Sequence, residues 1–196
     1  MSLRWLPNAI TIGRMVLALP LLWALATAQF ALAFWLALVA GLSDAVDGWL
    51  AKRFGWDSHS GGILDPLADK LLLSVCFVGL WWSAHLPGWL VVLVLARDVV
   101  IIAGALVWWR TLGPFTAAPT RLSKLNTLLQ IVLVAAVLAD AAFTGSLAAG
   151  AGRAGPLPLV WLQALLLACA ALTAASGVDY VVRYGARFRA ALRNRP

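Results

Sequence analysis

Apolar residues run along this chain in six long blocks, with most polar residues falling between them. The blocks cover 8–28, 31–54, 64–84, 88–109, 125–143 and 159–182, and each approaches the ~20 residues a helix needs to cross a bilayer. The connections are short except around 110–124 and 144–158. The second of these is rich in Gly, Ala and Pro and reads as a loop. The pattern predicts an all-α integral membrane protein with six transmembrane helices, built as a single domain over 1–196. No internal repeat stands out.

Composition excludes a soluble domain. The 196 residues are 63% hydrophobic and 12% charged, where soluble domains are about 45–50% and about 25%. The net charge of +7 sits in loops and at the C-terminus. That placement suits anionic membrane lipids and not nucleic acid. Arg4, Lys52, Arg53, Arg110, Arg121, Lys124, Arg183, Arg187, Arg189, Arg193 and Arg195 fall on one side of the six spans, and Arg153 alone on the other. By the positive-inside rule both termini face the cytoplasm. Trp81, Trp82, Trp89 and Trp161 collect at predicted outer interfaces, and Trp108 and Trp109 at an inner one. A cleavable signal peptide is the rival reading of the N-terminus, with Ala26-Thr27-Ala28 as its cleavage site. It is disfavoured because Asn8, Thr11 and Arg14 interrupt the apolar core and another span follows at once. No transit peptide is visible, so a bacterial inner (cytoplasmic) membrane is expected. Cys76 and Cys169 lie inside apolar blocks and read as small buried hydrophobes. The basic tail, about 183–196, carries Arg183, Arg187, Arg189, Arg193 and Arg195 beside Phe188 and Leu192. An interfacial amphipathic helix and a disordered topology signal both fit it.

The charges that matter most are acids. The chain has no Glu and eight Asp, and Asp44, Asp47, Asp65 and Asp69 form two close pairs beside long apolar runs. Spacings of three and four put each pair on one helix face. A central Asp costs about 2.5–3.5 kcal/mol in a membrane helix, so the four together, unpaired, would cost on the order of 10 kcal/mol. Two divalent cations are the natural compensation. Oxygen-only donors suit Mg²⁺, Mn²⁺ or Ca²⁺ and not zinc. Such a pair of metals clamps a phosphate or diphosphate for in-line displacement at phosphorus. Gly48, Gly61 and Gly62 allow a ligand or neighbouring helix to come close. The bland alternative is a set of helix-end acids paired with Lys52, Arg53 and Lys70. The functional competitor is a cation or proton transporter. Transport is disfavoured because the acids crowd the cytoplasmic half while the outer halves of the spans are nearly uncharged. A catalytically dead scaffold would be expected to have lost one of the four acids.

The spacing D-x2-D-G-x2-A-K-x8-G-x3-D-x3-D, from Asp44 to Asp69, resembles the signature of the CDP-alcohol phosphatidyltransferase family. The likeness extends through Pro7-Asn8, Thr11, Arg14, Arg97-Asp98 and the Lys124 region. One position departs: the family usually has Arg after the motif Ala, and Lys52 stands there with Arg53 next. The resemblance implies a six-span enzyme that moves a phosphatidyl group from CDP-diacylglycerol to an alcohol and releases CMP, using Mg²⁺ or Mn²⁺. Asp44, Asp47, Asp65 and Asp69 would hold a two-metal site, and Asp69 would be the base that takes the acceptor proton. Asn8, Thr11, Arg14, Gly48, Ala51, Lys52, Arg53 and Gly61 would bind the nucleotide or donor. Arg97, Asp98, Arg121, Lys124 and Asn126 would bind the acceptor. A homodimer is implied as well, because family members are often dimers.

Arg97-Asp98 followed by Ser123-Lys124-Leu125-Asn126-Thr127 resembles the CMP-forming, mitochondrial-type cardiolipin synthases, whose acceptor is phosphatidylglycerol. In the phosphatidylglycerophosphate synthase branch a second Lys stands where Asn126 is, suited to the dianionic phosphate of glycerol 3-phosphate. That branch is the alternative, and Arg97-Asp98 could also be an internal ion pair. His59, His85 and Asp57 read as loop or interfacial residues without a role. Asp140 and Asp179 read as helix-end residues.

Overall fold

The computed structural model describes residues 6–54, 61–113, 120–144 and 159–193, with the backbone alone described at 6–11, 44–54, 61–68, 144, 189 and 192. Six helices cover them: α1 (Leu6–Ala26), α2 (Phe30–Phe54), α3 (Gly61–Trp82), α4 (Gly88–Leu112), α5 (Arg121–Thr144) and α6 (Leu159–Arg193). All six predicted helices are present. Among the described residues, three stretches are long and apolar enough to cross a membrane: Gly88–Leu112, Arg121–Phe143 and Leu159–Phe188. α1 and α2 contribute shorter apolar stretches, Ile12–Ala26 and Phe30–Ser43.

The chain divides into two compact units. One comprises residues 1–86 and 134–159, the other 87–133 and 160–196. In the first, α1 packs against both α2 and α3. The packed stripe of α1 is Arg14, Ala18, Leu21 and Leu25, all buried and spaced by fours and threes. Its other face, with Ile12, Val16, Leu19 and Trp23, is exposed and apolar, as lipid contact requires. α1 meets α3 at two points. Arg14 donates to Asp69, and Leu25 lies against Gly79. The contacts advance together along both helices, so α1 and α3 run parallel. A Cβ at Gly79 would stand 2.9 Å from Leu25 Cβ, an atom that cannot swing away. Gly79→Ala is therefore expected to lower stability by about 1–3 kcal/mol through overpacking, measured as thermal unfolding in detergent.

α1 and α3 end alike. Ala28 (φ 56°) and Ala84 (φ 61°) adopt the left-handed conformation. Gln29 N–H then donates to Ala24 O at 2.8 Å, and His85 N–H to Leu80 O at 2.8 Å. These are the closures that glycine usually supplies at a helix C-terminus. They stop both helices two residues before the predicted limits at 28 and 84. Trp23, Trp35, Trp81 and Trp82 are all exposed at this end of the unit, which marks it as a membrane interface. His85 is half-buried there, packed on Phe30 at 4.4 Å between ring centroids.

In the second unit, Arg97 of α4 donates to Ser176 of α6 at 2.8 Å. One turn further, Tyr180 O–H donates to Ile101 O at 3.0 Å, and Trp108 meets Phe188 at 5.9 Å. α4 and α6 thus run parallel. A Cβ at Gly104 would stand 3.0 Å from the Tyr180 ring, so this glycine makes room for the tyrosine. α5 runs the opposite way, with Ser123 bonded to Arg97 and Asn126 to Thr173.

The sixth helix corrects the predicted limit at 182. It continues unbroken to Arg193, 35 residues in all. At 1.5 Å per residue that is about 52 Å, well beyond a hydrocarbon core of about 30 Å. The basic segment is therefore helical as far as Arg193 and follows the span directly. An ion pair from Arg183 to Asp179 and Arg187 over the Tyr184 ring at 5.8 Å support it. Asp179, expected at a helix end, lies within α6, while Asp140 stands four residues before the end of α5, as expected, and is buried.

Candidate active site

Helix register brings the acids of the first unit to one end of it. Arg14 lies 12 residues before the end of α1, Asp44 14 after the start of α2, and Asp69 13 before the end of α3. These intervals correspond to about 18, 21 and 20 Å of helix, so the three positions share one level below the tryptophan-rich end. Asp47 and Asp65 follow about one turn further from that end. Asn8 and Thr11 belong to the same end of α1, Gly48, Ala51, Lys52 and Arg53 to the same end of α2, and Gly61 to the start of α3. The side chains of these residues, and of Asp44, Asp47 and Asp65, lie outside the described residues. Among the described residues no three metal-type side chains form a group.

Arg14 and Asp69 are the two members of this end whose side chains are described. Arg14 is 3% exposed and Asp69 45% exposed, and they form an ion pair between α1 and α3. The guanidinium is held in the helix interface while the carboxylate is partly exposed. Four carboxylates with only oxygen donors fit a hard divalent cation.

The predicted acceptor residues divide into two groups. Arg121 and Lys124 are exposed at the start of α5. Arg97 is buried and joins three helices, donating to Asp98 at 2.7 Å, to Ser123 at 2.6 Å and to Ser176 at 2.8 Å. Asn126 is fully buried. Its amide oxygen accepts from Thr173 Oγ1 at 2.8 Å, and Gln130 donates to the same hydroxyl at 3.3 Å. Arg97 and Asn126 therefore stand inside the helix packing and not on its surface. Ser176, Thr173 and Gln130 were not singled out in the sequence, and Ser123 only as part of the segment Ser123–Thr127. The signal was available in α6, where Thr173, Ser176, Gly177 and Tyr180 repeat every three or four residues, the small and polar stripe of a membrane helix interface.

Burial changes what a lysine at 126 would do. The Asn126→Lys substitution is expected to place an ammonium in a closed interface and to destabilise the protein by several kcal/mol, instead of switching acceptor preference. Thermal unfolding in detergent beside an acceptor-competition assay checks this. A stable variant that turns toward glycerol 3-phosphate would contradict it.

Known proteins bear on the chain as a whole. Residues 4–175 match the CDP-alcohol phosphatidyltransferase family. The chain is 34% identical to human "Cardiolipin synthase (CMP-forming)" over 191 residues, 89% of this chain and 60% of that protein. It is 29% identical to "Probable phosphatidylglycerophosphate synthase" of Mycobacterium tuberculosis over 185 residues, 91% of this chain and 80% of that one. Over 103 residues it is 36% identical to "CDP-diacylglycerol--glycerol-3-phosphate 3-phosphatidyltransferase" of Bacillus subtilis, covering 53% of this chain and 52% of that one. The chain thus spans about 60% of the length of the human relative. With its long apolar helices it is a multi-pass membrane protein. The match across residues 4–175, together with the acidic signature on α2 and α3, places this chain in the CDP-alcohol phosphatidyltransferase family.

Proposed function

We propose that this chain transfers a phosphatidyl group from CDP-diacylglycerol to phosphatidylglycerol, forming cardiolipin and CMP. The observation that carries the reading is the gathering of the four signature acids at one end of three packed helices, with Asp69 already paired to Arg14. In the reaction the acceptor hydroxyl oxygen forms a bond to the donor phosphorus next to the lipid. The bond from that phosphorus to CMP breaks, and the acceptor proton passes to a base.

The acids divide these tasks. Asp44, Asp47 and Asp65, with Asp69 beside them, would hold two divalent cations, Mg²⁺ or Mn²⁺. Bound there, the cations offset the charge of the donor diphosphate. Asp69 is the group that takes the acceptor proton. Gly48, Ala51 and Gly61 let the cytidine nucleotide approach the backbone. Asn8, Thr11, Lys52 and Arg53 serve the donor, the last two supplying positive charge. Arg121 and Lys124, exposed at the start of α5, serve the acceptor's phosphate. The site faces the cytoplasm of a cell whose inner membrane holds the chain, and the working form is a homodimer.

A second acceptor has specific support. The Bacillus subtilis relative is named for glycerol 3-phosphate, and two exposed cations at Arg121 and Lys124 suit a phosphate of either kind. Purified protein in mixed micelles with CDP-diacylglycerol and Mg²⁺ or Mn²⁺ separates the two. The expected result is CMP and cardiolipin with phosphatidylglycerol as acceptor. Product with glycerol 3-phosphate alone would establish the second reading, and no CMP with either would refute both.

A further inference from the structure

We propose that the Trp108–Phe188 end of α4 and α6 holds the headgroup of an anionic phospholipid between Arg110 and Arg187. The partner is a lipid of the surrounding bilayer. The site is built from α4 and α6 alone and uses none of the residues assigned to the transfer.

The extension of α6 beyond its apolar block is docked on α4 and not loose. Phe188 packs on Trp108 at 5.9 Å between ring centroids. About two turns earlier, Tyr180 O–H donates to Ile101 O at 3.0 Å, and the Tyr180 ring stacks on Tyr184 at 4.2 Å. Arg110 follows Trp108 by two residues, and Arg187 precedes Phe188 by one. At 1.5 Å per residue, both positions lie within about 3 Å of the ring contact along their helix axes. Both arginines are exposed. The acid on this stretch of α6, Asp179, is taken by Arg183. Among the described residues neither Arg110 nor Arg187 forms an ion pair. Arg187 instead lies over the Tyr184 ring at 5.8 Å. Such a contact uses the flat face of the guanidinium and leaves the N–H groups at its edge for a phosphate.

The surface that leads to these cations is apolar. Leu106, Val107 and Trp109 of α4 and Val181 and Val182 of α6 are 47–61% exposed. Acyl chains cover such a surface in a bilayer, and an exposed Trp at its edge marks the level of the headgroups. A lipid phosphate at that level meets guanidinium groups from two helices. A zwitterionic headgroup brings a cation of its own, and free phosphate gains nothing from the apolar surface. Charge and surface together therefore select an anionic phospholipid. Positive charge by itself would serve topology alone. The docking of Phe188 on Trp108 adds a fixed height for Arg187 beside Arg110, which a loose basic tail lacks.

The test uses the full chain in phosphatidylcholine vesicles, without donor or metal. The probes are chain-spin-labelled phosphatidylserine and phosphatidylcholine, and the protein-restricted fraction of each is read by electron paramagnetic resonance. Phosphatidylserine is anionic and has no free hydroxyl, so it is no acceptor in the proposed transfer. Wild type is expected to prefer phosphatidylserine. Arg110→Gln and Arg187→Gln should each lower that preference by up to about fivefold, the scale of one cation at an anionic surface. The double variant should lower it further than either. Arg187→Lys keeps the charge without the fork and should fall between. Phe188→Ala leaves the charge unchanged and should lower the preference about as far as Arg187→Gln, because it undocks the extension. If Phe188→Ala does not fold, Phe188→Leu takes its place, with the same direction and a smaller step.

An unchanged preference in the double variant would overturn the proposal. A preference that follows the arginines but ignores Phe188 would replace the built site with a loose basic tail. Loss of the preference on adding inorganic phosphate at constant ionic strength would make this a site for soluble phosphate and overturn the lipid assignment. Because no turnover is measured, a failure of the proposed transfer would leave each of these results standing.

Discussion

Asp44→Asn and Asp65→Asn should each abolish phosphatidyl transfer while the protein continues to insert and to unfold at an unchanged or higher temperature. Each substitution removes one negative charge from a crowded acidic end and keeps the size of the side chain. Without metal the four acids repel one another, so a neutral amide relieves strain. A charged Asp at membrane depth is itself unfavourable by about 2.5–3.5 kcal/mol. The same substitution replaces an anionic ligand with a neutral one. Losing even a residue that merely supports a metal ligand costs about 10–100-fold in affinity or activity, so losing a ligand should exceed a hundredfold. Stability and activity thus move in opposite directions, which an indirect folding defect would not produce. Turnover above about a tenth of wild type in either variant would contradict the metal-holding role. The measurement is CMP release at saturating metal, beside thermal unfolding of the metal-free protein.

Arg97→Met should cost about 3–5 kcal/mol of stability, the range for breaking a buried charge pair. Arg97 is the joint of the second unit. Its guanidinium connects α4 to Ser123 on α5 and to Ser176 on α6, and it also engages Asp98. A methionine fills much of the volume and satisfies none of those oxygens. Arg97→Lys should be intermediate, because one ammonium cannot reproduce the fork that reaches three partners. Adding Asp98→Asn to Arg97→Met should recover part of the loss by removing the carboxylate that the guanidinium balanced. Thermal unfolding in detergent gives the order of the three variants. An Arg97→Met protein of normal stability with a raised KM for the acceptor would instead make Arg97 a surface contact. Ser123 is one residue from Lys124 and two from Arg121, so losing the joint should also disturb the segment carrying the proposed acceptor residues.

The existence and order of the six helices were legible in the sequence because crossing a bilayer requires long apolar runs, and these runs are unmistakable. Their ends were less so. The helices stop at Ala26 and Trp82 because Ala28 and Ala84 take a conformation that usually selects glycine. An alanine carries no such signal. α6 continues past its apolar block because Arg and Ala favour helix, and the side chains of its extension find local partners in Asp179 and Tyr184. Hydropathy reads the membrane boundary and not the helix boundary.

The acidic signature was legible as chemistry, since close Asp residues beside apolar blocks need a compensating charge. Which acid pairs with which cation was not. Nothing in the local sequence points from Asp69 to Arg14, 55 residues earlier on α1, with which it forms an ion pair. Arg97 resembles an acceptor contact in sequence, but the structure encloses it between helices, with a partner 79 residues away on α6. Asn126 likewise proves buried against Thr173. Local spacing can place residues on one helix face, because 3.6 residues per turn is a property of the backbone alone. It cannot say which face meets which helix. That depends on how small and large side chains interlock across distant segments, as at Leu25 with Gly79 and Tyr180 with Gly104. The order of residues by itself thus determined six helices, an acidic end and a family. Tertiary packing decided which of the described charges are buried and which elements their ion pairs join.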